Sequence, residues 1–327
     1  MKKKTIDEII KFANKYTLID VRAPEEFKKG HIPLAQNIPL FSDLMRKLVG
    51  IEYKQKGRES AISFALENIG STLPSLVEKA KKLGIKKPFC IYCARGGMRS
   101  SSMAWLFDLF GLNTTVIIGG YKKFRNWTIK QFDVQKKVTV LGGKTGSGKT
   151  QLLKYFKNNE KQVVDLEKLA QHKGSVFGGD KNKQKTQQQF ENDLALEWFL
   201  CNPVRPIWIE DESRKIGSVT IPEGIWLQMQ NAKVYFLQTT QGIRTKNIIK
   251  EYGTLDKNFL LNASKTIYNQ LGDQKYRCVV DAIKNDSLER ACKILLDYYD
   301  KKYEFGIQKK KNVHYITKKQ LLGEIGI

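Results

Sequence analysis

Short, mainly apolar runs alternate with longer amphipathic stretches along the first 130 residues. The apolar runs end in turn residues and predict buried strands at 18–21, 89–92 and 115–118. Apolar residues at helical spacing predict helices at 60–66, 73–83 and 100–110. Alternation of strands with helices is typical of α/β proteins, so we predict a parallel-sheet domain over residues 1–130.

The same pattern restarts after a basic connector at 124–137 and predicts a second α/β domain over residues 131–300. Its strands are predicted at 138–141, 162–164, 206–209 and 233–237. The first of them leads directly into a glycine-rich loop. Residues 301–327 are rich in lysine, and we predict that they form a basic C-terminal appendage.

Composition indicates a folded chain, because 41% of its 327 residues are hydrophobic and 10% are aromatic. No apolar stretch approaches the ~18 residues of a membrane span, and the N-terminus lacks a signal-peptide core. We therefore expect a cytoplasmic protein with no membrane partner. Five scattered cysteines fit reduced thiols rather than a disulfide framework.

The charge balance favours a polyanionic partner. Lysine and arginine number 57 against 33 acidic residues, which gives a formal net charge of +24 at pH 7. Such a surplus promotes nucleic-acid binding through counterion release. A surface that is rich in lysine without a specific partner is the alternative.

A phosphate-binding loop lies between the first strand and first helix of the second domain. It matches G-x-x-x-x-G-K-[ST] with Gly143, Lys144, Thr145, Gly146, Ser147, Gly148, Lys149 and Thr150. In such loops the backbone N–H groups surround a phosphate, the lysine reaches the outer phosphate and the threonine hydroxyl can ligate Mg²⁺. The motif alone leaves open whether the ligand is a nucleotide or another diphosphate.

Further polar residues could support this loop. Glu210 and Asp211 follow an apolar strand, where an acidic side chain commonly holds Mg²⁺, and we name Asp211 with Thr150 as candidate metal ligands. Arg214 is a candidate phosphate contact or a surface charge. His172 could be a general acid/base, a phosphate contact or a hydrogen-bonded loop residue.

A cysteine loop follows the predicted strand at 89–92. Cys93 precedes a helix and shares its loop with Arg95 and Arg99, an environment that favours a thiolate. Cys93 could carry sulfur or selenium, as a persulfide or perselenide. Alternatively, the C-x-x-x-x-x-R spacing followed by Ser100 is that of a phosphatase loop, in which Cys93 attacks phosphorus and Arg99 clamps the phosphate.

Several motifs of the first domain resemble those of rhodanese domains. They are the stretches at 19–22, 25–27, 30–32 and 37–39, the Cys93 loop, and 119–121. Leu34 stands where these domains usually have glycine. The resemblance implies a rhodanese-like parallel-sheet domain, and the phosphate loop implies a P-loop NTPase-like domain after it.

The combined arrangement resembles the tRNA 2-selenouridine synthase family. Similar segments occur at 49–57, 93–97, 165–175, 190–192 and 210–217, with a weaker likeness at 243–244 and 298–300. The resemblance implies a transferase that replaces sulfur with selenium in wobble 2-thiouridine of the tRNA anticodon loop. Selenophosphate and geranyl diphosphate would be co-substrates, and an S-geranyl form of the tRNA would be the intermediate.

The resemblance also implies a division of roles. Cys93 would handle selenium, the phosphate loop would hold the diphosphate, and a selenophosphate-supplying enzyme would be a partner. Two other classes remain open on the residues alone. One is a phosphatase-like enzyme that uses the Cys93 to Arg99 loop, and the other is a P-loop kinase or nucleotide hydrolase with a rhodanese module.

Overall fold

The computed structural model describes residues 2–84, 86–172, 184–253, 256–308, 310 and 312–327. The chain divides into two compact units, each an α/β structure built on its own five-stranded sheet. Unit 1 comprises Met1–Gln131 and Gln188–Leu196, and unit 2 comprises Phe132–Gln187 and Glu197–Ile327. The predicted fold class, two successive parallel-sheet α/β domains, is confirmed.

Unit 1 contains five strands and the helices between them. In chain order these are β1 (Lys2–Lys4), α1 (Ile6–Lys11), β2 (Thr17–Asp20), α2 (Pro24–Lys29), β3 (Gln36–Asn37), α3 (Asp43–Ile69), α4 (Leu73–Lys82), β4 (Phe89–Tyr92), α5 (Met98–Leu109), β5 (Thr114–Ile117) and α6 (Gly120–Gln131). The strands pair in parallel in the order β1-β5-β4-β2-β3. Strand β4, which leads to the cysteine loop, is therefore central and fully buried.

Unit 2 begins with the strand that carries the phosphate loop. Its elements are β6 (Val138–Gly143), α7 (Lys149–Asn158), β7 (Gln162–Val164), α8 (Leu166–Ala170), α9 (Gln187–Leu200, shared with unit 1), β8 (Ile207–Glu210), β9 (Lys215–Ile216), β10 (Val219–Thr220), α10 (Glu223–Asn231), β11 (Lys233–Leu237), α11 (Gln241–Tyr252), α12 (Lys257–Lys265), α13 (Tyr268–Leu271), α14 (Asp273–Lys284), α15 (Leu288–Ile307), β12 (Val313–Ile316) and α16 (Lys318–Glu324). Five strands pair in parallel in the order β12-β11-β6-β8-β7, so β6 is central. Strands β9 and β10 form a separate antiparallel hairpin.

Apolar side chains on both faces of each sheet form the cores. In unit 1, strand residues such as Ile19 and Ile91 pack with Met103 and Phe107 of α5. In unit 2, the ring of Trp208 lies 4.8 Å from that of Phe156 and joins helix α7 to the sheet. Helices α12, α14 and α15 form a further apolar cluster. None of the helices in the described part of the chain has the length and apolar character needed to cross a bilayer.

The C-terminal segment differs from the appendage predicted at 301–327. Helix α15 continues to Ile307, strand β12 adds to the sheet beside β11, and α16 packs Leu321 against the core. Strand β12 was not predicted, because it has only four residues and buries only Ile316. The lysines of this segment decorate an integral part of the unit 2 fold.

We predict that Leu321→Ala lowers the free energy of unfolding by about 2–4 kcal/mol, because a fully buried side chain would leave a cavity. Chemical denaturation of the full chain measures this change. Lys319→Ala, an exposed position in the same helix, is the control and should alter the value by less than about 0.5 kcal/mol. Unchanged stability in Leu321→Ala would place α16 outside the core.

Candidate functional site

The cysteine loop lies at the carboxyl end of β4, between Tyr92 and the start of α5 at Met98. Cys93 is only 3% exposed. At Gly96 the backbone φ is +66°, and a Cβ there would lie 2.6 Å from the carbonyl oxygen of Ile117. The Tyr121 N–H donates a 2.9 Å hydrogen bond to the Cys93 carbonyl. The loop is thus fixed by close backbone contact with the segment that follows β5.

Hydrogen bonds around the sulfur favour the thiolate form of Cys93. Its Sγ lies 3.3 Å from the Ser100 hydroxyl oxygen. Burial alone would raise the pKa of Cys93. Hydrogen bonds from the Ser100 hydroxyl and from the backbone N–H groups of Arg95 and Ser100, with the positive charge of Arg99, outweigh burial and lower the pKa. Cys93 is therefore a candidate nucleophile.

The two loop arginines have different positions. Arg95 has an exposed side chain, and it is its backbone N–H that contacts the sulfur. The Arg99 guanidinium donates a 2.9 Å hydrogen bond to Glu26, which also accepts a 3.0 Å hydrogen bond from Arg46. Glu26 thus orients Arg99 beside the loop, a role that the sequence motif at 25–27 did not specify.

The phosphate loop occupies the equivalent position in unit 2, between β6 and α7. The Lys149 ammonium donates a 2.7 Å hydrogen bond to the Gly143 carbonyl and lies 3.9 Å from a Glu210 carboxylate oxygen. Gly146 has a φ of +78°, and a Cβ there would lie 2.7 Å from the Arg244 carbonyl oxygen. The loop is therefore compact, and the Lys149 ammonium faces Glu210 at the carboxyl end of β8.

A buried arginine is hydrogen-bonded to the backbone of the phosphate loop. Arg244 of α11 donates a 2.8 Å hydrogen bond to the Thr145 carbonyl, and its guanidinium forms two hydrogen bonds, of 2.8 and 2.5 Å, with Asp300. Asn247 donates a further 2.9 Å bond to the Gly146 carbonyl. In the sequence, residues 243–244 and 298–300 show only a family likeness, because spacing does not reveal that α11 and α15 meet beside the loop.

Three glutamates converge beside Lys149. Glu167, Glu210 and Glu212 each have a carboxylate oxygen within 4.8 Å of those of the other two. Burial and the Glu210 carboxylate raise the pKa of Glu167 to about 9 and that of Glu212 to about 8. Closely spaced carboxylate oxygens next to a phosphate loop fit a hard divalent cation such as Mg²⁺. Glu210 was a predicted site residue, whereas Glu167 and Glu212 were not.

Asp211 is placed differently from the metal ligand that the sequence suggested. Its carboxylate accepts a 2.9 Å hydrogen bond from the Tyr303 hydroxyl and forms an ion pair with Lys310. Tyr303 and Lys310 thus engage both of its oxygens, and Asp211 is not among the three carboxylates that converge beside Lys149. Neither Tyr303 nor Lys310 was a predicted site residue, because both lie in the segment 301–327 that is predicted as a basic appendage.

A cleft of about 450 Å³ is lined by the phosphate loop, the three glutamates and Asp211. Its wall includes Lys149, Thr150, the three glutamates, Asp211 and Lys310, together with aromatic residues that include Trp226 and Tyr303. The cleft combines two cations with an anion-binding loop, and it could hold a diphosphate with a divalent cation.

Two other predicted site residues lie elsewhere in unit 2. His172 is half-buried against Gly217, where a Cβ would lie 2.8 Å from the imidazole, and burial lowers its pKa. Arg214 is exposed and forms an ion pair with Glu223. Neither belongs to the described lining of the cleft. The family-like residues 173–175 fall outside the described part of the chain.

Comparison with known proteins matches both units to family models. Residues 136–321 match the tRNA 2-selenouridine synthase AAA domain, and residues 5–126 match the rhodanese-like domain. The proteins named tRNA 2-selenouridine synthase from Psychromonas ingrahamii and Bordetella bronchiseptica are 31% and 34% identical to this chain. Their alignments cover 91% and 90% of the chain, and 90% and 89% of those proteins.

A third relative shares a shorter region. The tRNA 2-selenouridine synthase from Nitrosomonas europaea is 39% identical over 244 residues, which are 72% of this chain. The alignment spans 63% of that relative's length.

We predict that Ser100→Ala raises the pKa of the Cys93 thiol, since it removes one hydrogen bond to the thiolate, and so moves alkylation of Cys93 to higher pH. The pH dependence of iodoacetamide alkylation, read at the Cys93 peptide by mass spectrometry, measures the change. Ser102→Ala, at an exposed position of the same helix, is the control. An identical pH profile in Ser100→Ala and wild type would remove Ser100 from thiolate stabilisation.

Proposed function

The chain belongs to the tRNA 2-selenouridine synthase family, and on that premise we propose that it replaces sulfur with selenium in wobble 2-thiouridine of tRNA. The proposal rests on one observation: a single chain carries both a stabilised cysteine thiolate and a phosphate-loop cleft that is lined by two lysines and a cluster of carboxylates. The first suits selenium transfer from selenophosphate, and the second suits activation of geranyl diphosphate. The net charge of +24 is consistent with a tRNA substrate.

The first proposed step is S-geranylation of the tRNA in the unit 2 cleft. The 2-thio sulfur attacks C1 of geranyl diphosphate, a C–S bond forms, and the C–O bond breaks as diphosphate leaves with the electron pair. Lys149 and the N–H groups of residues 143–150 stabilise the charge that develops on the leaving diphosphate. Mg²⁺ held by Thr150 and the glutamate cluster would supply further neutralisation.

Geranylation changes which bond at C2 of the base can break. The sulfur of 2-thiouridine is a poor leaving group as a thione, but it leaves as geranylthiol once it is alkylated. In the second step a selenium nucleophile forms a C–Se bond at C2, and the C–S bond breaks. The net reaction consumes geranyl diphosphate, selenophosphate and water, releases diphosphate, phosphate and geranylthiol, and requires no oxidant or reductant.

We assign the release of selenium to Cys93. Attack of the thiolate on phosphorus breaks the P–Se bond, releases hydrogen selenide and leaves an S-phosphocysteine that water returns to thiolate and phosphate. Arg99 and the loop N–H groups, which already stabilise the thiolate, would neutralise the oxygens of the phosphoryl group.

We predict that Lys149→Ala reduces geranyl transfer at least about a hundredfold, because it removes the cation that neutralises the leaving diphosphate. The assay incubates the full-length variant with thiolated tRNA and geranyl diphosphate and quantifies S-geranyl-2-thiouridine by mass spectrometry. Lys154→Ala, at an exposed position of the same helix, should behave as wild type. Wild-type geranylation by Lys149→Ala would place the diphosphate outside this loop.

We expect Cys93→Ala to retain geranylation and to lose selenation, since only the second step uses the thiolate. With thiolated tRNA, geranyl diphosphate and selenophosphate, S-geranyl tRNA should accumulate. Cys90→Ala is the matched control, because burial raises the pKa of that thiol to about 12 and keeps it protonated.

Full selenation by Cys93→Ala would exclude Cys93 from selenium transfer. Hydrolysis of simple phosphate esters by wild type, lost in Cys93→Ala, would instead favour the phosphatase alternative.

A further inference from the structure

An apolar cavity of about 50 Å³ adjoins the phosphate loop within unit 2. Helices α11, α12, α14 and α15 supply most of its wall. Leu260 comes from α12 and Ile283 from α14, and α15 contributes six residues, among them Ala291, Cys292 and Leu295. The rest of the lining is Thr145, Ile248, Ile249, Tyr252 and Gly253. None of the described lining residues carries a charge.

The cavity adjoins the larger phosphate cleft. Thr145 of the loop, Ile248, Tyr252 and Tyr299 line both spaces. Ile248 also touches the loop itself, since a Cβ at Gly146 would lie 3.0 Å from its side chain. Ile248 thus lies between the loop and the cavity, so a ligand whose phosphates lie on the loop would reach the cavity along this side chain.

The chemistry of the wall selects the kind of group that can enter. Leu260, Ile283 and Leu295 are almost fully buried, and burial raises the pKa of the Cys292 thiol to about 11, so that it stays neutral. A nucleobase placed here would lose hydrogen bonds to water and meet mainly hydrocarbon, which is unfavourable. A hydrocarbon group would gain from the same surroundings.

We infer that this cavity receives the distal end of the hydrocarbon chain of a diphosphate ester whose diphosphate lies on the phosphate loop. The inference rests on the proposed function and assigns the chain-binding residues for it. The nearer part of the chain lies along Ile248, Tyr252 and Tyr299 in the larger cleft, because a cavity of about 50 Å³ has room for only a few methyl groups.

The first test compares two probes on the wild-type protein, geranyl diphosphate and inorganic pyrophosphate, by calorimetry in the presence of Mg²⁺. We expect geranyl diphosphate to bind at least about tenfold more tightly, since a few buried methyl groups suffice for that difference. Equal affinities would overturn the inference. Absence of pyrophosphate binding would instead contradict the proposed function, since it would remove the diphosphate from the loop.

The second test fills the cavity. Ala291→Leu adds bulk at a buried wall position and should reduce the advantage of geranyl diphosphate at least about fivefold while pyrophosphate affinity stays as in wild type. Unchanged pyrophosphate binding also shows that the loop is still folded. Lys293→Leu adds leucine at an exposed position of the same helix and should keep the advantage. An Ala291→Leu variant that keeps it as well would overturn the inference.

A third measurement needs no substitution and applies even if Ala291→Leu fails to fold. Methyl methanethiosulfonate modifies Cys292 in the wild-type protein at alkaline pH, and the extent is read at the Cys292 peptide by mass spectrometry. Saturating geranyl diphosphate should slow this modification at least about fivefold, whereas pyrophosphate should leave it unchanged. Equal modification under both conditions would show that the chain lies elsewhere.

Discussion

Both candidate sites depend on the turn that joins the carboxyl end of a central parallel strand to the start of a helix. At this turn the backbone N–H groups have no partner in the sheet or the helix, so they can face an anion. In unit 1 the anion is the Cys93 thiolate at the end of β4, and in unit 2 it would be a diphosphate at the end of β6. The central position buries each strand, whereas its loop lies at the carboxyl end of the strand, where a substrate can reach it.

Two cysteines on the same strand and loop show that hydrogen bonding, and not burial, decides reactivity. Cys90 and Cys93 are both almost fully buried. Burial raises the pKa of Cys90 to about 12, whereas the Ser100 hydroxyl and loop N–H groups lower that of Cys93 despite its burial. Three residues thus separate an inert thiol from a nucleophile, because only the second lies where backbone donors converge.

The sequence predicts both loops and the parallel-sheet class because these depend on local spacing. Leu34 is one example. It stands where glycine is usual, and it adopts a φ of +70°, which glycine favours, with its side chain exposed. Arg244 and Lys310 could not be predicted, because each meets its partner 99 residues away along the chain. Strand β12 was missed for a related reason, since a four-residue edge strand with exposed side chains is recognised only from its neighbour in the sheet.

The Cys93 loop suggests why chalcogen transfer and phosphatase chemistry could not be separated on spacing alone. Under the proposed function selenium enters as selenophosphate and ends in the base without a change in oxidation state, so the step at Cys93 is a phosphoryl transfer. The same elements then serve both reactions: a thiolate, an arginine and a ring of N–H groups around phosphorus. What distinguishes them is the acceptor of the leaving group. Under the proposed function the released selenide attacks an alkylated tRNA base, and the phosphate loop of unit 2 is what prepares that acceptor.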